Sequence, residues 1–184
     1  VCSSLDITQA DFVGHSMGGY VGIALLEQHN ELVRSLTLFN STAAEDNEQK
    51  KKDRLRTIRV FEMAPELFVS EAINNLFMPE NLERFPDEVI ELKKMGLSCG
   101  IDGAAPALRG MALRAEGASV LRNSDKPILY ISGIADNIIP IASVKSQAEL
   151  IGAKIEVMEG SGHMSFVEEY DKTLAALTNF WSTK

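Results

Sequence analysis

Ala10-Asp11-Phe12-Val13-Gly14-His15-Ser16-Met17-Gly18-Gly19 is the stretch whose reading decides the fold. A short apolar run, Phe12-Val13, meets Gly14-His15-Ser16-Met17-Gly18, and a helical pattern follows with Val21, Ile23, Ala24, Leu25 and Leu26. The pattern predicts a strand over 10–13, a sharp turn, and a helix over 18–28. A serine on so tight a turn stands clear of the sheet. The incoming strand and outgoing helix then pass so closely that side chains at Gly14 and Gly18 are expected to collide.

Strand, Gly-x-Ser-x-Gly turn and helix together make a nucleophile elbow, with Ser16 as the nucleophile. The N-terminus of the new helix aims free N–H groups at a place where negative charge can develop. The backbone N–H of Met17 is the first candidate donor of an oxyanion hole. The turn is not a phosphate loop, because no Lys-Ser/Thr pair follows it.

Gly14-His15-Ser16-Met17-Gly18-Gly19 resembles the elbow of the α/β-hydrolase superfamily, in its small, capped, esterase-like branch. The resemblance spans nearly the whole chain but only the C-terminal part of the family fold. It implies an α/β architecture: the C-terminal half of a parallel sheet, about four strands, with an inserted helical cap. It also implies that several strands precede the elbow and that a second oxyanion donor comes from a loop after one of them. The chain, which opens Val1-Cys2-Ser3-Ser4, is therefore expected to be a fragment. Residues 1–184 alone are expected not to form a stable, active hydrolase.

Composition bounds the function. The chain has 184 residues, 45% hydrophobic and 24% charged, which suits one domain with a real core. A formal charge of −8 argues against nucleic acid and anionic membranes as partners. No apolar run approaches the roughly 18 residues of a membrane span. Cys2 and Cys99 make no disulfide framework, which fits the cytoplasm. The cysteines and histidines lack metal-ligand spacing, so neither metal nor cofactor is expected, and the partner is a small-molecule substrate.

Along the chain, residues 33–39 read as the next strand and 44–59 as a charged, solvated helix. From 61 to 121 the pattern is helical throughout, with helices expected over 65–77, 86–95 and 101–114, the first two opening on proline. Phe61, Met63, Leu67, Phe68, Leu76, Phe77 and Met78 supply apolar surface, as the core of a cap or the wall of an acyl pocket. Residues 128–133 form a continuous apolar strand, 140–150 a helix and 153–158 an alternating strand nearer the sheet edge. A last amphipathic helix over 171–181 turns Leu174, Leu177, Phe180 and Trp181 inward. The division is 1–43 (elbow part of the α/β core), 44–121 (helical cap) and 122–184 (the part of the core that carries the acid and the histidine).

A serine needs a base and a group to orient the base. There are three histidines. His15 lies in the elbow, with a side chain expected to diverge from that of Ser16, and His29 lies at the polar end of a helix. His163, on a loop after the last strand, is the base by elimination and by position, since parallel sheets place their chemistry at the carboxyl ends of strands. In the chain order Ser, Asp, His, the acid is Asp136, directly after the strand over 128–133. Its run Gly133-Ile134-Ala135-Asp136 ahead of Pro140 resembles a loop of the same family. Some relatives place the acid after the preceding strand, but here that strand ends in Asn40, and Glu45 and Asp46 look too far along.

Three functions are weighed. The first is a serine hydrolase acting on small carboxylic esters or related acyl compounds. The second is the same machinery turned to acyl transfer, carbon–carbon bond hydrolysis or cofactor-free perhydrolysis. The third is a binding module with an idle triad. Serine rather than aspartate at position 16 argues against the dehalogenase and epoxide-hydrolase branches.

Overall fold

A computed structural model describes residues 2–183. Four strands form one parallel sheet: β1 (Ala10–His15), β2 (Val33–Phe39), β3 (Ile128–Gly133) and β4 (Lys154–Met158), in the order β1-β2-β3-β4. The helices are α1 (Met17–Gln28), α2 (Glu48–Met63), α3 (Pro65–Asn74), α4 (Pro86–Leu113), α5 (Ala118–Asn123), α6 (Ile141–Ile151), α7 (Ser165–Glu168) and α8 (Tyr170–Ser182).

The two-residue period of the strands divides the core. Leu36, Leu38 and Tyr130 pack on one face against Ile23 and Leu26 of α1, Leu121 of α5, and Val144 and Ala148 of α6. Phe39, Leu129 and Ile131 pack on the other against Ala176 and Phe180 of α8. The central strands β2 and β3 carry the continuous apolar runs because helices cover both of their faces. In register, Gly14 lies beside Leu38, Phe39 beside Ile131, and Gly133 beside Met158. All four carboxyl ends therefore finish side by side.

Between β2 and β3 the chain is helical. Asn47 caps α2, its side chain accepting from Lys50 N at 2.8 Å. Proline opens both α3 and α4, where a missing N–H costs nothing. The two helices expected over 86–95 and 101–114 are the two arms of α4, broken at Gly100 (φ 60°, ψ 179°), in a conformation only glycine adopts readily. α5 and the short α7 were not separable in the sequence. Of the apolar residues expected to line this block, Phe61 and Phe77 are buried, but Met63 and Leu67 face solvent. In α8, Leu174 and Trp181 are exposed, and Thr173 and Ala176 take their expected places.

Candidate active site

β1 delivers the chain to Ser16, whose backbone is left-handed (φ 52°, ψ −117°). A non-glycine residue there costs on the order of 1–3 kcal/mol and persists only when its surroundings hold it. They do: Ser16 N donates to Phe39 O (2.9 Å), while Ser16 O accepts from Gly19 N (3.0 Å) and Ser41 Oγ (2.8 Å). A Cβ on Gly14 would lie 2.3 Å from Gly18 O, so Gly14 is required, as expected. At Gly18 the expectation is corrected: a Cβ there would meet nothing within 4 Å, because the helix turns that position away from the strand. The close approach falls one residue later, where a Cβ on Gly19 would sit 2.1 Å from Ser41 Oγ. Met17 opens α1, so its N–H has no acceptor within the helix.

Asp136 follows β3 and His163 follows β4, and His163 Nδ1 lies 2.8 Å from Asp136 Oδ2. Both are buried, 6% and 2% exposed. Asp136 Oδ1 accepts from Ile138 N (2.8 Å) and Ile139 N (2.9 Å), and Oδ2 also accepts from Asn40 Nδ2 (3.1 Å). Burial, the largest influence, pushes its pKa up, but the hydrogen bond and charge of His163, the Ile139 amide and the Asn40 amide more than offset it. The net effect holds the carboxyl below its ordinary value. An ionised carboxylate only accepts, so the proton of this hydrogen bond belongs on His163 Nδ1. Among the described residues, neither His163 Nε2 nor Ser16 Oγ makes a hydrogen bond.

The side chain of His15 packs against the loop of His163. Its Nε2 donates to His163 O at 2.8 Å, and its ring lies 5.0 Å from that of His163, 4.9 Å from Phe166 and 5.8 Å from Phe39. Burial, more than any other influence, lowers its pKa from 6.5 to about 4, so it stays neutral at pH 7. His15 thus joins the elbow to the histidine loop. His29 ends α1, is exposed, and lies 3.5 Å from Glu31.

Asn40 is a site residue that sequence reasoning passed over. It follows β2 at positive φ (44°), which asparagine tolerates better than most residues. Its Nδ2 bridges Asp136 Oδ2 and Gly162 O (3.1 Å each), binding the acid loop to the histidine loop. Asp46, the alternative acid, is buried elsewhere, paired with Arg54 and with Arg114 Nη2 (2.9 Å). The expectation of a charged, solvated helix over 44–59 is corrected at one residue, since Arg54 points inward to Asp46.

Among the described residues, no group of three His, Cys, Asp or Glu side chains could hold a metal ion, and no helix is long and apolar enough to cross a membrane.

The sequence is 29% identical over 167 residues to 3-oxoadipate enol-lactonase 2 of Acinetobacter baylyi, covering 90% of this chain and 61% of that protein. It is 30% identical over 190 residues to a pimeloyl-[acyl-carrier protein] methyl ester esterase of Neisseria meningitidis, covering 98% and 72%. The structure superposes on a thermophilic esterase from Thermogutta terrifontis with a TM-score of 0.92 and 25% identity, over 99% of this chain and 68% of that one. The chain thus spans about three-fifths of the length of the enol-lactonase it matches. The family model described as alpha/beta hydrolase fold matches residues 1–170, and the chain belongs to that family.

Proposed function

We propose that this chain carries the catalytic machinery of a serine hydrolase that cleaves small carboxylic esters or related acyl compounds. Ser16 is the nucleophile, His163 the base and Asp136 the orienting acid. The observation that carries the reading is the 2.8 Å bond from His163 Nδ1 to an ionised Asp136, at the same end of the sheet as the strained turn of Ser16.

In this mechanism, Ser16 Oγ attacks the ester carbonyl carbon while its proton passes to His163 Nε2. Asp136 stabilises the imidazolium without taking the proton itself. Met17 N–H donates to the tetrahedral oxyanion. Collapse breaks the bond to the alcohol oxygen, which leaves with the proton from Nε2, and an acyl-Ser16 ester remains. Water, deprotonated by Nε2, attacks that ester. The acid departs, and the proton returns to Ser16. Helices α2 to α5 form a cap that shapes the space for the acyl group. The enol-lactonase and the methyl ester esterase, both of which act on carboxylic esters by name, support this substrate class.

The test is p-nitrophenyl ester hydrolysis by the complete protein, with mass spectrometry of protein quenched during turnover. The reading predicts a mass increase of one acyl group, located on Ser16. Turnover with no acyl-enzyme, or with the acyl group elsewhere, contradicts it. Complete inertness toward esters of every chain length would favour a binding module.

A further inference from the structure

Glu168 ends α7, five residues beyond His163, and is 2% exposed. No cation pairs with it among the described residues. Four N–H donors converge on it instead. Oε1 accepts from Met78 N (2.7 Å) and Asn81 Nδ2 (2.9 Å), and Oε2 from Gly162 N (2.8 Å) and Met164 N (3.3 Å). The first pair belongs to the connection between α3 and α4. The second pair consists of the backbone amides on either side of His163.

Other contacts run between the same two segments. His163 N donates to Leu76 O (2.7 Å), and Asn81 Nδ2 also donates to Gly160 O (2.8 Å). A Cβ on Gly162 would lie 2.8 Å from both Leu76 O and Met78 N, so the two backbones are in direct contact. Phe77 is buried with Val89 and Met164. The His163 backbone is thus held by residues 76–81 of the helical block rather than by the sheet alone.

We propose that Glu168 is a positioning residue for His163, the joint through which the α3–α4 connection sets the placement of the imidazole. This rests on the reading of His163 as the base. Glu168 touches neither Nε2 nor Asp136, so it acts only through the backbone at 162–164. A carboxylate is the one side chain that offers two acceptor oxygens and no donor. Glutamine would turn an NH₂ group toward two N–H donors and push one pair away. Because a reacting group displaced by about 1 Å can cost on the order of 100-fold in rate, loss of this joint appears in turnover rather than in substrate binding. Displacement of residues 76–81 would likewise reach His163, coupling the helical block to the base.

The experiment compares Glu168→Gln, Asn81→Ala and His163→Ala with wild type in the complete protein. It measures kcat and KM on a p-nitrophenyl ester, thermal unfolding, and the downfield proton resonance of His163 Nδ1–H, assigned by its absence in His163→Ala. The expected result is a folded Glu168→Gln with kcat lowered about 10- to 100-fold, KM within about twofold, and a shifted or broadened resonance. A folded Glu168→Gln with wild-type kcat and an unmoved resonance overturns the proposal. Should Glu168→Gln fail to fold, Asn81→Ala carries the test, because it removes one donor to the same carboxylate. A loss of about threefold or more in kcat with a moved resonance supports the joint, and wild-type values of both overturn it. Near-normal activity of His163→Ala would instead refute the base assignment, whatever Glu168 does.

Discussion

Two buried carboxylates stand near the carboxyl ends of neighbouring strands, Asp136 after β3 and Asp46 beyond the end of β2. For each, burial is the largest influence and pushes the pKa up, and the partners reverse it to a net lowering. The partners differ. Asp46 faces the guanidinium groups of Arg54 and Arg114, which never release a proton, and Arg114 also stacks over Tyr20 at 4.0 Å. That cluster ties α1, α2 and the end of α4 to the segment after β2. Asp136 faces an imidazole, the one side chain whose ordinary pKa lies near neutrality. Under the proposed mechanism, the same buried charge is structural where its partners are fixed cations and chemical where its partner can exchange a proton.

The largest effects fall on the chemical side. Ser16→Ala and His163→Ala are each expected to lower ester turnover by about 10⁴- to 10⁶-fold without unfolding the protein, as circular dichroism would show. Asp136→Asn is expected to cost about 10⁴-fold, because an amide no longer selects the Nδ1–H tautomer. The structural side reverses the pattern. Asp46→Asn is expected to keep its turnover at a temperature where it is folded, but to lose about 3–5 kcal/mol of stability, measured by urea denaturation. A stable Asp46→Asn with no activity would exchange the two roles.

Much of this was legible in the sequence. The tight turn at Ser16, the four strands, and the places of Asp136 after β3 and His163 after β4 follow from local patterns: a glycine-bounded turn, apolar runs, and a histidine on a loop after a strand. Asn40 was not legible, because its role depends on a positive φ and on two loops more than 90 residues away in the chain. Glu168 reads as one more acid in an acidic chain until the fold gathers four N–H donors around it. Arg54 falls in a charged run, and only the placement of Asp46 turns it inward. At Gly18 and Gly19 the motif named the right turn but shifted the crowded position by one, since periodicity cannot say which glycine meets Ser41.

The pH dependence of folding sharpens the contrast between the two carboxylates. Both have lowered folded pKa values, so their contributions are present above 3.8 and are lost as pH falls through the folded values. Asp46→Asn should therefore flatten the stability curve below that pH. His15 acts earlier. It is neutral down to about pH 4 when folded but titrates near 6.5 when unfolded, so stability should fall by about 3 kcal/mol as pH drops across that window. Urea titrations of wild type and His15→Gln check this, with a shallower slope expected in the variant.

The smallest effect concerns the contact of the elbow with the segment after β2. Gly19→Ala must displace Ser41 and is expected to cost about 1–3 kcal/mol and some turnover. Gly18→Ala, with open space at its Cβ, should stay within about 0.5 kcal/mol of wild type. Thermal unfolding of the two variants side by side tests this. Equal losses would return the steric constraint to Gly18.

The central claim, a serine activated by the pair His163 and Asp136, is tested most directly by labelling with a fluorophosphonate probe. Wild type, His163→Ala, Asp136→Asn and Asp46→Asn, all in the complete protein, would be treated at equal concentration and read by intact mass and peptide mapping. The account predicts rapid modification of wild type and Asp46→Asn on Ser16, with labelling of His163→Ala and Asp136→Asn slowed by orders of magnitude. Labelling on another residue, or equal rates in wild type and His163→Ala, would contradict it.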